Sequence, residues 1–291
     1  MKFRTDYGDF YMSSTNSTTI ALLKKYNFPI QKRYGQNFLI DDNILKGIVE
    51  AAGVNENDTV LEIGPGLGAL TGYLCRAAKK VIAVEIDKML VPILNETLAD
   101  YENFTLINDD ILKVDIEELV RNIKIKVVAN LPYYITTPII MELLEKQSCI
   151  ESITVMVQKE VALRMAEGPG SKDYGALSLA VQYYSKPSLS MMVSKNCFLP
   201  KPDVDSAVVH LDVYEKNERP VKVKDAEKMF AIIKAGFGQR RKTLLNSLSN
   251  DASLGLSKDM IRDALLKMGL PETVRAEALS LEQFAALSDI L

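Results

Sequence analysis

The sequence predicts an α/β fold: a mostly parallel sheet with crossover helices, an antiparallel hairpin at its edge, and a small all-α C-terminal domain. Three observations predict it. TVLEI (59–63), VIAVE (81–85), FTLI (104–107), KVVAN (126–130) and ITVMVQ (153–158) are apolar runs separated by helical patterns. Each is hydrophobic nearly throughout, as suits strands covered on both faces. SLSMMVS (188–194) and SAVVHLDV (206–213) follow with little helix between them, which fits an edge hairpin. Beyond the charged linker YEKNERP (214–220) every remaining apolar pattern has helical period: DAEKMFAIIKAGF, RKTLLNSL, KDMIRDALLKMG and SLEQFAALSDIL.

Taken in order, the first thirty residues carry Asp6, Asp9 and the polar run SSTNSTT, and residues 1–17 are expected to form a flexible tail. They contain no apolar stretch of signal-peptide length, and no window reaches a membrane span, so a cytoplasmic protein is expected. TTIALLKKYNFPI (18–30) reads as a short amphipathic helix stopped before Pro29. QKRYGQNFLIDDNILKGIVEAAGV gives a basic turn, a loop and a helix ending at Gly53. The final helix opens with Ser280 and Gln283 at capping-box spacing. The expected domains are 18–214 for the sheet and 215–291 for the helices.

Composition narrows the function. The chain has 291 residues, enough to bury a core in two domains. Its formal net charge is −3, so binding to nucleic acid requires a local basic patch rather than total charge. Cys75, Cys149 and Cys197 are odd in number, scattered and without a C-x-x-C pair, which points to reduced thiols and no metal site. His210 is the only histidine and lies in a strand-like run, where a structural role suits it better than that of a catalytic base.

VLEIGPGLGALT places Gly64, Gly66 and Gly68 between a strand and a helix. Glycines there let a backbone approach a ligand closely, and the helix N-terminus favours electron-rich groups. Gly64, Gly66 and Ala69 satisfy the dinucleotide fingerprint, and Glu85 ends the next strand, where a carboxylate accepts two ribose hydroxyls. This Rossmann-like arrangement suits a nicotinamide dinucleotide and S-adenosyl-L-methionine equally, since both carry an adenosine ribose. Asp109 and Asp110, after the third strand, offer a carboxylate for an adenine amine or only a solvated turn.

VVANLPYYITTP (127–138) is the less ordinary stretch. Asn130 ends a strand at the carboxyl edge of the sheet; Pro132 fixes its own φ and holds Leu131 extended. Asn130 supplies an amide oxygen, Leu131 or Pro132 a backbone carbonyl, and Tyr133 a flat face. Two acceptors on the N–H groups of an exocyclic amine favour a tetrahedral nitrogen whose lone pair faces an electrophile, while stacking on Tyr133 holds the extruded base. Orientation and charge placement then suffice without a histidine base.

The motifs YGQNFLID, EIGPGLGALT, VEID, NDDIL, ANLPYYITTPI, FLPKPDVDSAVVHL and GFGQRRKTLLNSL, in this order, resemble those of the ribosomal RNA adenine N6-dimethyltransferases, and the small-subunit branch within them. The resemblance runs from about Lys24 to the C-terminus. It implies a Rossmann-like S-adenosyl-L-methionine-dependent methyltransferase sheet that dimethylates two adjacent adenines near the 3′ end of 16S rRNA, with a role in late subunit assembly. Carried over residue by residue, it places cofactor contacts at Asn37, Leu39, Gly64, Glu85, Asp110 and Asn130. It places the base pocket at Asn130, Leu131, Pro132 and Tyr133, with Phe198 as a second stacking face. The implied partner is small-subunit rRNA within a 30S assembly intermediate, bound by a monomer with no metal and no membrane.

The required basic patch is present. Residues 219–242 carry eight basic residues against two acidic ones, ending in Arg240, Arg241 and Lys242, while Lys24, Lys25, Lys32 and Arg33 form a second cluster. Such groups contact phosphates and set register. AEGPGSKDYG (166–175) reads as a mobile polar loop. Two rival functions follow from the same residues: a subunit-assembly factor whose methylation is secondary, and a nicotinamide oxidoreductase built on the glycine fingerprint.

Overall fold

The computed structural model describes residues 15–31, 34–121, 123–146 and 148–291. Most of the expected tail therefore lies outside the described residues, as do Lys32 and Arg33. The strands are β1 (Phe38–Leu39), β2 (Thr59–Ile63), β3 (Lys80–Val84), β4 (Phe104–Ile107), β5 (Ile125–Asn130), β6 (Ile150–Gln158), β7 (Ser185–Val193), β8 (Phe198–Leu199) and β9 (Ser206–Val213). The α-helices are α1 (Thr15–Lys25), α2 (Asp42–Ala51), α3 (Ala69–Ala77), α4 (Val91–Thr97), α5 (Ile116–Val120), α6 (Thr136–Lys146), α7 (Lys159–Ala166), α8 (Ala176–Tyr184), α9 (Ala226–Gly238), α10 (Leu244–Ser249), α11 (Lys258–Lys267) and α12 (Leu281–Ile290).

Seven strands form one sheet in the order β4-β3-β2-β5-β6-β9-β7. The run from β4 to β6 is parallel, and β9 returns antiparallel to β6 with β7 beyond it at the edge. The expected sheet and edge are thus present. Every residue of β2 is buried, and β3 and β5 bury nearly all of theirs, which is why their sequences lack polar alternation. Burying each such Val, Leu or Ile side chain contributes about 1.5–3 kcal/mol relative to leaving it exposed.

The chain leaves β2 toward β3 and β4, then crosses back to β5 on the other side of β2. The strand order therefore reverses between β2 and β5, and the crevice at their carboxyl ends is where such sheets take ligands. Ile63 pairs with Ala129, so Gly64 and Asn130 follow side by side at that crevice.

Helix α1 starts at Thr15, three residues before the expected start. The Thr15 N–H and hydroxyl both donate to the Asp42 carboxylate, which satisfies the free end of the helix. Asp42 also accepts from the Tyr73 hydroxyl at 2.7 Å. A second sheet, unforeseen, pairs β1 with β8: Phe38 lies opposite Leu199 and Leu39 opposite Phe198.

By packing, the chain forms two units. One holds the described residues up to Ala162 together with Ser188–Val213; the other holds Leu163–Pro187 and Tyr214–Leu291. The second unit thus takes in α8, a segment ahead of the cut after residue 214. Within it the side-chain oxygens of Asp225, Thr243, Ser257 and Ser280 cap the first turns of α9 to α12. The Ser280–Gln283 capping box forms in both directions, at 3.3 and 2.9 Å. An aromatic cluster of Tyr183, Tyr184 and Phe230 fills the α8–α9 contact, and the Arg219 guanidinium of the linker lies 4.9 and 4.8 Å from the two tyrosine ring centres.

Candidate active site

The loop after β2 turns over glycines in the left-handed region. Gly64 has φ +67°, and its N–H donates to Val84 O at 2.9 Å, which holds the loop against the end of β3. A Cβ added at Gly64 would meet no atom within 4 Å, so the loop leaves open space in front of its backbone. That space belongs to a cavity lined by the 64–67 loop, Glu85, Asp110, Asn37 and the 130–134 segment, with about 1130 Å³ free when its solvent mouth is included. The open backbone at Gly64 and the carboxyl at Glu85 fit a ribose-bearing ligand lying across the strand ends.

Glu85 is 5% exposed, and burial pushes its pKa up to about 7. Backbone N–H donors oppose that shift: Asp87 at 2.8 Å and Gly66 at 3.3 Å. Asn108, from the next strand end, donates to the Glu85 carbonyl at 2.7 Å and fixes its main chain.

Asp87 is a buried acid beside the site that sequence reasoning passed over. Its carboxylate accepts from Gln36 at 2.7 Å and from Gln31 at 3.1 Å. Gln36 in turn accepts from the Gln31 N–H at 2.8 Å. One carboxylate therefore ties the N-terminal segment that carries Asn37 to the strand end that carries Glu85. The signal was the acid two residues past Glu85 in VEID.

Glu62 was also passed over, as one position in an apolar strand. It is 1% exposed, lines the same cavity, and has no hydrogen-bond partner at Oε2. Burial pushes its pKa up to about 8, against a partial opposing effect from the Thr71 hydroxyl, although Thr71 Oγ1 itself makes no geometrically sound hydrogen bond.

Past Asn130, the Leu131 N–H donates to Met156 O at 3.1 Å, so the chain stays pinned to β6 up to the proline. The Asn130 amide donates from Nδ2 to Asn37 O at 3.2 Å, which leaves Oδ1 to accept. Pro132 O accepts from Ile135 N at 3.2 Å and from Thr136 Oγ1 at 3.1 Å. Both lone pairs of that carbonyl are engaged, so Leu131 O is the available acceptor of the two. Tyr133 is half-buried, its hydroxyl 2.7 Å from Ser206 Oγ, and burial raises its pKa.

Asn37, Leu39, Gly64, Glu85, Asp110, Asn130, Leu131, Pro132 and Tyr133 all line the one cavity. Asp109 lines it too, but it is exposed, whereas Asp110 is half-buried and accepts from Leu112 N at 3.1 Å. Phe198 does not join them. It is 3% exposed and packs in the core with Leu39, Leu45 and Val208, held there by the β1–β8 pairing, so its face is not open to a base. His210 bonds to Thr154 at 2.8 Å and Asp212 at 3.1 Å, the structural role expected of it.

The basic residues also separate. Arg240 donates from Nη2 to the carbonyls of Lys172 at 2.7 Å and Tyr174 at 3.1 Å, so its guanidinium braces a loop while the side chain stays exposed. That loop, expected to be mobile, is further fixed by Gly170 N to Glu277 O at 2.8 Å and by the buried Tyr174 hydroxyl to Leu279 O at 2.9 Å. Arg241 and Lys242 are exposed. Lys25 pairs with Glu96.

A glycine loop at the strand reversal, a strand-end glutamate and an Asn-Leu-Pro-Tyr rim define a Rossmann-like methyltransferase domain, and known proteins agree. The profile of the family described as "Ribosomal RNA adenine dimethylase" matches residues 27–291. The chain belongs to that family. It is 56% identical, over 94% of its length and 95% of the relative's, to ribosomal RNA small subunit methyltransferase A of Lachnoclostridium phytofermentans. It is 49% identical to the protein of the same name from Clostridioides difficile, over 96% of both. Among solved structures, a dimethyladenosine transferase from Plasmodium falciparum is similar with a TM-score of 0.70 at 26% identity, covering 86% of this chain and 95% of that one. The 23S rRNA methyltransferase ErmE is similar with a TM-score of 0.66 at 27% identity, covering 88% and 99%.

Proposed function

We propose that the protein transfers methyl groups from S-adenosyl-L-methionine to adenine N6, two per base, on two adjacent adenines near the 3′ end of 16S rRNA. One observation carries the chemistry: Asn130 Oδ1 and Leu131 O remain as acceptors at the rim of the cavity that Gly64 and Glu85 fit to a ribose-bearing donor. Bound there, the donor supplies an electrophilic methyl group on a sulfonium. Asn37, Leu39, Gly64, Glu85, Asp110 and Asn130 hold it, with Asp110 favoured over Asp109 by its lower exposure. The two acceptors take the amine hydrogens and turn the nitrogen lone pair toward the methyl carbon, while the Tyr133 face steadies the base. The nitrogen gains a methyl group and releases a proton, which no histidine needs to remove. Family membership speaks against a nicotinamide oxidoreductase.

The substrate is RNA. The small-subunit name shared by the relatives supports 16S rRNA within a 30S assembly intermediate, in the cytoplasm, with a role in late assembly. No described helix is long and apolar enough to cross a membrane. Residues 215–291 contact RNA through Arg241 and Lys242, and Lys32 and Arg33 add to the grip; a monomer performs the reaction. The deciding experiment is mass spectrometry of small-subunit rRNA after incubation with the protein and isotopically labelled S-adenosyl-L-methionine. Two neighbouring adenines should each gain two labelled methyl groups. Unlabelled rRNA after full incubation would overturn the reading.

A further inference from the structure

Among the described residues, Tyr134 is the one aromatic side chain left mostly in solvent, at 59% exposed. Every other described ring of the sheet unit is buried or half-buried. Tyr134 sits in the tight turn Tyr133–Ile135, immediately after the tyrosine of the pocket, and lines the mouth of the same cavity.

The ring is supported as well as exposed. Gly35 has φ +59°, and a Cβ there would lie 3.3 Å from Tyr134 Cδ1 and 3.6 Å from both Cε1 and Pro132 Cβ. The bare backbone of Gly35 thus braces the ring against the turn that Pro132 starts. Burial, together with the charges of Tyr34, Asp110 and Glu85, raises the pKa of the hydroxyl. Exposing so much aromatic surface at a site mouth carries a cost in water that a flat ligand removes.

We propose that Tyr134 is a stacking platform for the nucleotide next to the adenine that enters the pocket. The proposal rests on the reading that the substrate is an adenine in RNA. When a base swings out of a strand, its neighbour loses a stacking partner and presents a bare face. An aromatic ring one residue along the turn from Tyr133 replaces that partner outside the cavity while Tyr133 holds the target inside. Base–aromatic stacking tolerates any base, so the platform strengthens binding and registers the strand without reading sequence.

The test compares Tyr134→Phe, Tyr134→Leu and Tyr134→Ala. Loss of one base–aromatic stack should raise KM for small-subunit rRNA about 5- to 150-fold in the Leu and Ala variants, with kcat changed less. Phe should behave like the wild type. The affinity for S-adenosyl-L-methionine alone, by equilibrium dialysis, should be the same in all four proteins. An RNA oligonucleotide with 2-aminopurine beside an adenine should lose fluorescence on binding the wild type and Tyr134→Phe, and keep it with Tyr134→Leu. A Leu variant equal to Phe in both readouts would reduce Tyr134 to apolar bulk and overturn the platform. Donor affinity falling by the same factor as methylation would make the ring a donor lid and overturn it equally. Wild-type protein that transfers no methyl group to rRNA would instead sink the functional reading beneath it, a result distinct from either.

Discussion

The side-chain amide of Asn130 donates to the main-chain carbonyl of Asn37, 93 residues earlier in the chain, at 3.2 Å. Asn37 also donates to Gly35 O at 3.1 Å, so the bond fastens the N-terminal segment across the mouth of the cavity. It also fixes which end of the Asn130 amide is free. The rim thus presents an oxygen, the atom an amine donor requires.

Asn130→Ala removes that oxygen and the bond to Asn37 together. Losing one preorganised group that acts on the reacting atom typically costs about 10²–10³ in kcat. Losing one neutral hydrogen bond, worth about 0.5–1.5 kcal/mol, weakens donor binding only about 2- to 12-fold. Methyl transfer and donor dialysis on one preparation should show that separation. Equal losses in both would mean Asn130 serves only to hold the donor.

Asp87→Ala should damage the site without touching any reacting atom. It leaves two half-buried glutamine side chains without their common charged acceptor, at a cost of up to about 1–3 kcal/mol. It also frees segment 31–37, which carries Asn37. We expect a lower unfolding temperature and a weaker donor complex, with Asp87→Asn intermediate because one acceptor oxygen remains. A variant of normal donor affinity would show that the glutamine tether does not position the site.

The parts of this fold that were legible in the sequence are those fixed by local patterns. β2 and β5 are buried on both faces, so their hydrophobicity marked them to within a residue. Ser280 and Gln283 marked a helix start because both capping partners lie within one turn. β6 begins three residues earlier than expected, at Ile150, since the exposed Glu151 and the polar Ser152 interrupt the apolar run before Ile153. The β1–β8 pair was not legible at all: two-residue strands carry no period, and their union depends on tertiary contact. α8 reads ALSLAVQYY and is buried on nearly all sides, so it lacks the polar face that identifies a helix. In the site, Gly64, Glu85 and Asn130 were visible from motif spacing. Phe198 was placed by resemblance, and the packing that covers it could not be seen from FLPKP.

Stability should fall with rising pH on account of Glu62 and Glu85. Both carboxyls have folded pKa values raised from 4.5, to about 8 and about 7. Between 4.5 and those values the native protein holds protons that the unfolded chain has released. Their contribution is therefore fully present below about pH 4.5 and is lost as the pH climbs through 7 and 8. Unfolding temperatures of the donor-free protein across pH 5–8.5 should decline more steeply for the wild type than for Glu62→Gln, which cannot ionise. Parallel curves would mean that Glu62 keeps its charge in the folded state.

Arg240 and its two neighbours should part company when mutated. All three side chains are exposed, but the Arg240 guanidinium is engaged with the Lys172 and Tyr174 carbonyls. Each phosphate contact adds about 0.7–0.9 to the slope of log affinity against log salt, so Arg241→Ala and Lys242→Ala should each lower that slope by about this amount for rRNA binding. Arg240→Ala should leave the slope near the wild-type value and instead expose residues 168–175 to proteolysis and amide exchange, because two charge-assisted hydrogen bonds to the loop are gone. The same loop keeps its anchors at Gly170 and Tyr174, so the fold should survive and the loosening should stay local. If Arg240→Ala lowered the salt slope by a full contact and left the loop as protected as before, the guanidinium would be a phosphate ligand after all, and its bonds to the loop carbonyls would be incidental.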